Sequence, residues 1–302
     1  MIKLSVSTGV EGQHGTIPVE FGRFPCGERN LRLESTKQPE GLVFDQVSIS
    51  LSYEADNDLI DLLLLVDAVK RCPWLLYRNL VLLVNYFPYG RQDRVCNTGE
   101  PHSLKVVAAL INSCGFNRVY VVDPHSDVIE ALLDNVEIIT MDHIVFAADG
   151  GPFTECDAYV SPDGGAYKKV SKAGQVLGKP IIRADKIRDT MTGALSGFEV
   201  YADDLTGQEV VILDDICDGG GTFIGLAKKL REKGAAKVTL YVTHGMFTKG
   251  VKILLESIDE VWCYSYHGPD EDRHLVNQVW CYSYHGPDED RHLVNQVELF
   301  LE

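Results

Sequence analysis

One arrangement, repeated along the chain, most constrains its fold. Continuously apolar runs end in polar or glycine-rich stretches, and helix-like segments follow. Strand-like runs lie at 47–53, 80–87, 118–123, 136–140, 157–161, 180–184, 209–215 and 237–245. Helix-like stretches lie between several of them, at 57–71, 103–115 and 222–234, and the last two stop at a glycine, the expected C-cap. Strands without polar alternation are buried on both faces, so the pattern predicts an α/β fold with mainly parallel sheets covered by helices. In such sheets ligands bind outside the carboxyl ends of the strands.

The chemistry-bearing residues fall at those ends. "NYFPYGRQDR" follows one strand, "VDPHSD" a second, "SPDGGAYKK" a third and "LDDICDGGGT" a fourth. The polar stretch at 144–156 is the expected boundary between two halves of similar architecture, residues 1–148 and 149–302.

Charge narrows the partners. The 302-residue chain has 28 basic and 44 acidic side chains, a formal charge of −16, which argues against nucleic acid or an anionic membrane as partner. Phosphate ligands remain open, because metal ions and a few local cations suffice to hold them. Eight cysteines without a CxxC pair predict neither a zinc site nor a disulfide framework. The amino-terminal residues lack a signal-peptide pattern and no 18-residue apolar run occurs, so a reducing cytoplasm is the expected setting.

The 18 residues "VWCYSYHGPDEDRHLVNQ" occur at 261–278 and again, unchanged, at 279–296. Repeat folds need at least three units with drifted copies. Identity throughout therefore indicates a very recent duplication or an error in the sequence. One copy suffices for a sheet edge. The acids and histidines of the repeat (His267, Asp270, Glu271, Asp272 and His274 in the first copy, His285 and His292 in the second) are expected to form a solvated acidic loop.

The stretch at 210–222 carries the sharpest signal. Asp214 and Asp215 end an apolar strand, Asp218 follows, and Gly219, Gly220 and Gly221 form a tight loop before a helix beginning near Thr222. Successive backbone N–H groups beside a helix N-terminus favour a phosphate. The acids cannot bind phosphate directly, but they suit sugar hydroxyls or a hydrated Mg²⁺.

This loop resembles the ribose-phosphate loop of the type I phosphoribosyltransferase superfamily. The other motifs resemble those of phosphoribosyl pyrophosphate (PRPP) synthetases, also called ribose-phosphate diphosphokinases. "YFPYGRQDR" (86–94) is similar to their nucleotide-binding signature, "DPHSD" (123–127) to their metal-binding Asp-x-His segment, and "SPDGGAYKK" (161–169) to their Ser-Pro-Asp-glycine stretch. "FPCGE" (24–28) and "THG" (243–245) resemble two further segments. The resemblance runs in order from about residue 20 to 260.

It implies two phosphoribosyltransferase-like domains, an amino-terminal one for ATP and a carboxy-terminal one for ribose phosphate. The implied reaction is Mg²⁺-dependent transfer of the β,γ-diphosphoryl group of ATP to a ribose C1 hydroxyl. By resemblance, Arg91, Gln92 and Asp93 belong to the ATP site, joined by Phe24 and Glu28 of a neighbouring subunit in a homo-oligomer. Asp123, His125 and Asp163 are the implied metal ligands, and Asp214, Asp215 and Asp218 face the ribose. Lys186 and Arg188 match the family's flexible-loop cations, which neutralise charge on the transferred group.

Three departures bear on the acceptor. The family loop reads Asp-Thr-x-Gly-Thr, whereas Gly219 stands at its first Thr; "VCNTGEP" follows Arg94 where basic residues are usual; Cys26 replaces an acid. These changes resemble a divergent, phage-associated branch that rebuilds NAD and accepts ADP-ribose. Gly219 as an opened cradle thus favours ADP-ribose, with ribose 5-phosphate the alternative. A PRPP-consuming phosphoribosyltransferase and an inactive regulatory subunit are lesser readings.

Overall fold

The computed structural model describes residues 2–8, 14–34, 42–148, 151–188 and 195–279. They fall into two compact units, one ending at Ile139 and the other beginning at Thr140.

In the first unit, β1 (Ile2–Ser7), β2 (His14–Thr16), β5 (Val43–Ser52), β6 (Leu76–Tyr86), β7 (Arg118–Val122) and β8 (Val136–Ile139) form a sheet ordered β2-β1-β5-β6-β7-β8. From β5 to β8 the pairing is parallel, while β1 runs antiparallel to both its neighbours. Helices α1 (Asn57–Arg71), α2 (Ser103–Ser113) and α3 (Ile129–Leu132) supply the crossovers. Leu82, Leu83 and Val84 at the centre of β6 are wholly buried, the outcome expected of an unbroken apolar run. A separate antiparallel hairpin, β3 (Val19–Arg23) and β4 (Arg29–Leu33), packs Phe21 and Leu31 on this core.

The second unit opens with α4 (Met141–Ala147) and contains β9 (Ala158–Ser161), α5 (Tyr167–Leu177), β10 (Ile181–Arg188), β11 (Leu195–Val200), β12 (Glu209–Cys217), α6 (Gly221–Glu232), β13 (Lys237–Gly245), α7 (Lys252–Leu255), β14 (Glu260–Tyr266) and β15 (Asn277–Gln278). The strands are ordered β11-β10-β9-β12-β13-β14-β15, and all pairs but β10–β11 are parallel. Val210, Ile212, Leu240 and Val242 lie in its core under Leu226 and Leu230 of α6.

Three expectations need correction. The strand expected to stop at 184 continues to Arg188, because β11 pairs beside it; Lys186 lies opposite Phe198 within that ladder rather than in a loop. The strand expected to end at Asp215 continues to Cys217, so both acids sit inside β12, paired through Asp214–Val242 and Ile216–His244. The loop of the first repeat copy is not simply solvated. It forms a 3₁₀ turn at Asp270–Leu275 whose Asp272 is buried, accepting the Val251 N–H at 2.8 Å and facing Lys252 at 3.4 Å. Burial and the nearby His244 push His267 down to about 4. The second copy, beyond Val279, lies outside the described residues, as do the 189–194 segment and the Arg188 side chain.

Among the described residues seven cysteines are free, and no helix is long and apolar enough to cross a membrane.

Candidate active site

In the first unit the loops after β6 and β7 meet. Tyr89 adopts a left-handed φ of 60°, and its hydroxyl donates to Asp56 at 2.6 Å, as does that of Tyr53. These two bonds hold the Asp56 carboxyl below the usual carboxylate range. The loop is thereby fixed to the start of α1. A Cβ on Gly90 would stand 3.4 Å from Cβ of His125, in ordinary contact, so the two loops lie side by side here. Ser126 closes the junction, donating to Asp93 at 2.8 Å. Burial works to raise the Asp93 carboxyl, but the Ser126 hydroxyl and Arg94 outweigh it and the net shift is downward.

Of the residues assigned to ATP here, Arg91 and Gln92 are exposed and Asp93 is half-buried. Gln92 does more than face solvent. Its side-chain oxygen accepts from Ser103, and its carbonyl accepts the Leu104 N–H at 3.3 Å, tethering the loop to the first turn of α2. The "VCNTGEP" departure folds into a turn in which the Glu100 carboxylate accepts the Cys96 and Asn97 N–H groups at 3.0 and 2.9 Å.

Asp123 and His125 part company. Asp123 has a φ of 34° and is only 1% exposed, whereas His125 is exposed. Phe24 is 51% exposed at the tip of the β3–β4 hairpin, with Glu28 also exposed. The tip is closed by Phe24 N–H to Glu28 at 2.9 Å and Gly27 N–H to Phe24 at 2.8 Å. In the rung next to the tip, Arg29 makes a paired contact with both oxygens of buried Asp61 on α1.

In the second unit the charged groups at the strand ends are paired. Asp163, after β9, accepts the Gly165 and Ala166 N–H groups at 2.9 and 3.0 Å on one oxygen and Lys186 Nζ at 2.7 Å on the other. Burial favours its neutral form, yet Lys186 and these backbone donors outweigh it and hold its carboxyl low. Lys169 of α5 lies 3.4 Å from Asp215, which is buried. Residue order alone assigns Lys169 no role. Its placement on the inner face of α5 is what the sequence lacks, because the adjacent Lys168 reads alike. Asp214 is driven well above the ordinary carboxylate range, first by burial and then by the Asp215 charge.

The glycine loop follows. Gly220 has a φ of 75°, and a Cβ there would come within 2.7 Å of Leu254 Cδ2. This is a position that only glycine fills without displacement. α6 begins at Gly221, so its unpaired N–H groups open toward the loop. The β12–β13 register places Cys217 beside Gly245 and brings the two following loops together. Cys217 accepts the Met246 and Phe247 N–H groups at 2.9 and 3.1 Å, and Asp218 accepts the Thr248 N–H at 3.1 Å and its hydroxyl at 2.7 Å. Gly219 does not face open space: a Cβ there would lie 3.4 Å from Cδ and Cε of Lys249.

Among the described residues no group of three or more His, Cys, Asp or Glu side chains is arranged to hold a metal ion. Mg²⁺ needs no such cage. It retains waters and binds through one or two carboxylates and substrate phosphates. The adjacent carboxylates of Asp214 and Asp215, the first raised by burial and then by its neighbour's charge, fit that demand.

Residues 11–115 match the N-terminal domain of ribose phosphate pyrophosphokinase, and residues 174–266 match the phosphoribosyl synthetase-associated domain. Over 233 residues the chain is 34% identical to a ribose-phosphate pyrophosphokinase of Maricaulis maris, covering 75% of this chain and 71% of that one. Against the Mycoplasmopsis pulmonis enzyme of the same name identity is 31% over 220 residues, 70% of this chain and 66% of the relative. The phosphoribosylpyrophosphate synthetase of Mycobacterium smegmatis has the same fold, with a TM-score of 0.73 at 24% identity, over 95% of this chain and 91% of that one.

Proposed function

The chain belongs to the ribose-phosphate pyrophosphokinase family, and we propose that it transfers the β,γ-diphosphoryl group of ATP to the C1 hydroxyl of ribose 5-phosphate, releasing AMP. The observation that carries this reading is the Lys186–Asp163 pair at 2.7 Å, in the unit that also holds the glycine loop and the Asp214–Asp215 pair. A fixed ammonium, a phosphate cradle and ribose-facing carboxylates are the parts diphosphoryl transfer requires.

The roles follow from chemistry. N–H groups of Gly219 to Thr222 hold the acceptor phosphate, and Asp214, Asp215 and Asp218 orient the ribose hydroxyls. Lys169, 3.4 Å from Asp215, holds that carboxylate in place. The C1 oxygen attacks the β-phosphorus in line, the bond to the AMP oxygen breaks, and Lys186, with Arg188 on the same strand, offsets the charge on the moving group. Mg²⁺, when bound, neutralises phosphate charge; Asp163, His125, Asp123 and the Asp214–Asp215 pair are its candidate holders in the two units. Residues 1–148 would serve ATP through Arg91, Gln92 and Asp93, completed by Phe24 and Glu28 of a second copy, so that an isolated monomer is inactive.

The acceptor is ribose 5-phosphate rather than the ADP-ribose expected above. The relatives are named for ribose phosphate. The argument for ADP-ribose needed open space at Gly219, and the Lys249 stem fills it. The ADP-ribose branch is left with Cys26 and "VCNTGEP" as its support.

The test is incubation with ATP, Mg²⁺ and either sugar, following AMP and product by mass spectrometry. AMP with diphosphorylated ribose 5-phosphate is expected. Preferential conversion of ADP-ribose overturns the acceptor assignment, and absence of AMP with both sugars overturns the activity.

A further inference from the structure

We infer that Lys249 is an acceptor-binding residue of this enzyme, an ammonium that supplies the phosphate with the donor that a hydroxyl at position 219 would otherwise provide. The inference rests on the reading of the glycine loop as the acceptor's phosphate site, and it names the residue that sets which phosphate that site prefers.

Three observations carry it. First, Cδ and Cε of Lys249 cover Gly219 at 3.4 Å from where a Cβ would stand. The ammonium, one bond beyond Cε, therefore sits at the rim of the loop. Second, the segment bearing Lys249 is bound to that loop through the paired N–H and hydroxyl bonds of Met246, Phe247 and Thr248 to Cys217 and Asp218. Third, Lys249 lies between two left-handed residues, Phe247 at φ 44° and Gly250 at φ 77°, in a turn closed by Gly250 N–H to Phe247 at 2.8 Å. Its backbone is thus positioned before any ligand arrives. Among the described residues Lys249 makes no ion pair, unlike Lys186 and Lys169. Lys249 is exposed, and a cation on a fixed backbone beside a phosphate cradle, with no ion pair among the described residues, is available to an anion.

Glycine at 219 and lysine at 249 then act as a pair. A Cβ at 219 would touch the lysine stem at 3.4 Å, so the γ atoms of a threonine there would compete with the stem for the same space, and glycine leaves that space to a charged donor in place of a neutral one. The exchange has a consequence for specificity. A phosphate monoester near neutral pH carries about −1.5 to −2 charges, whereas each phosphate within a diphosphate bridge carries about one. An ammonium at the cradle therefore rewards ribose 5-phosphate over ADP-ribose.

The experiment compares wild type, Lys249→Ala, Lys249→Arg, Gly219→Thr and the double variant Gly219→Thr/Lys249→Ala. Ribose 5-phosphate binding is read by calorimetry without ATP, and KM for each substrate by AMP release. Removing a charge-assisted hydrogen bond predicts a roughly tenfold or greater rise in Kd and KM for ribose 5-phosphate in Lys249→Ala. KM for ATP should stay within about twofold, the effect on ADP-ribose should be smaller, and Lys249→Arg should retain most binding. Gly219→Thr should weaken binding alone yet restore it beside Lys249→Ala, a non-additive pair. Unchanged Kd and KM in Lys249→Ala, or strict additivity, overturns the inference while AMP release keeps the activity intact. If wild type binds ribose 5-phosphate and Lys249→Ala weakens it but no AMP forms, the activity fails and Lys249 stands. If wild type binds no ribose 5-phosphate, both fail.

Discussion

Lys186 Nζ donates to Asp163 at 2.7 Å across 23 residues of chain, joining the middle of β10 to the loop after β9. The pair gives Lys186 a fixed direction that an unpaired surface lysine would lack. Lys186→Ala should lower kcat by about a hundredfold or more, the usual cost of removing one preorganised donor to a developing charge. KM for ribose 5-phosphate should change little. Equal kcat in variant and wild type, with circular dichroism unchanged, would sink the assigned role.

Asp214 makes stability depend on pH. Its carboxyl is raised in the folded protein by burial and by Asp215, so between the unfolded value of about 3.9 and its folded value the native state holds a proton that the unfolded chain has lost. Stability must then fall as pH rises through that window. Urea midpoints measured from pH 4 to 8 should decline less for Asp214→Asn than for wild type. Parallel profiles would show that Asp214 does not carry the dependence.

Gly220→Ala should destabilise the second unit by about 1–3 kcal/mol, because it combines a left-handed backbone with a Cβ placed 2.7 Å from Leu254 Cδ2. Since Leu254 must retreat and the loop with it, weaker ribose 5-phosphate binding should accompany the destabilisation. A urea midpoint equal to wild type would contradict the crowded loop.

Phe24→Ala tests the hairpin. With half its surface exposed, its removal should change stability by no more than about 0.5 kcal/mol. KM for ATP should rise by roughly tenfold or more if the ring stacks on adenine in an assembled oligomer. Arg29→Ala should raise the same KM by a different route, since it strips the partner from buried Asp61 and frees the tip end of the hairpin. It should therefore also lower the urea midpoint, whereas Phe24→Ala should not. An ATP KM indifferent to both removes the hairpin from the site.

Much of the framework was legible in residue order. The helix read at 57–71 is α1, Asn57–Arg71, and the strand read at 237–245 is β13, Lys237–Gly245. Each has a run long enough, and apolar enough, to specify its own period. The hairpin β3–β4 escaped because its strands are short and largely polar, packing only Phe21, Leu31 and their neighbours inward. The sequence pattern ends β10 early because "DKIR" is polar, and the antiparallel partner that extends it lies beyond residues 189–194.

The same division runs through the site. Residue order by itself determined which segments the proposed chemistry rests on, since an apolar run followed by "DDICDGGG" or "SPDGG" marks a strand end suited to a polar ligand. It also determined the family, since the motifs occur in order along one chain. Only the tertiary structure decided which of those residues meet. Asp123 is buried while His125 is exposed; Lys169, rather than Lys168, faces Asp215; and the space expected at Gly219 belongs to Lys249. Local sequence encodes the periodicity of an element, but a parallel register such as Cys217 beside Gly245 is set by long-range pairing of strands. That pairing brings Gly219 and Lys249, far apart in the chain, into one loop cluster, where a missing side chain becomes a neighbour's place.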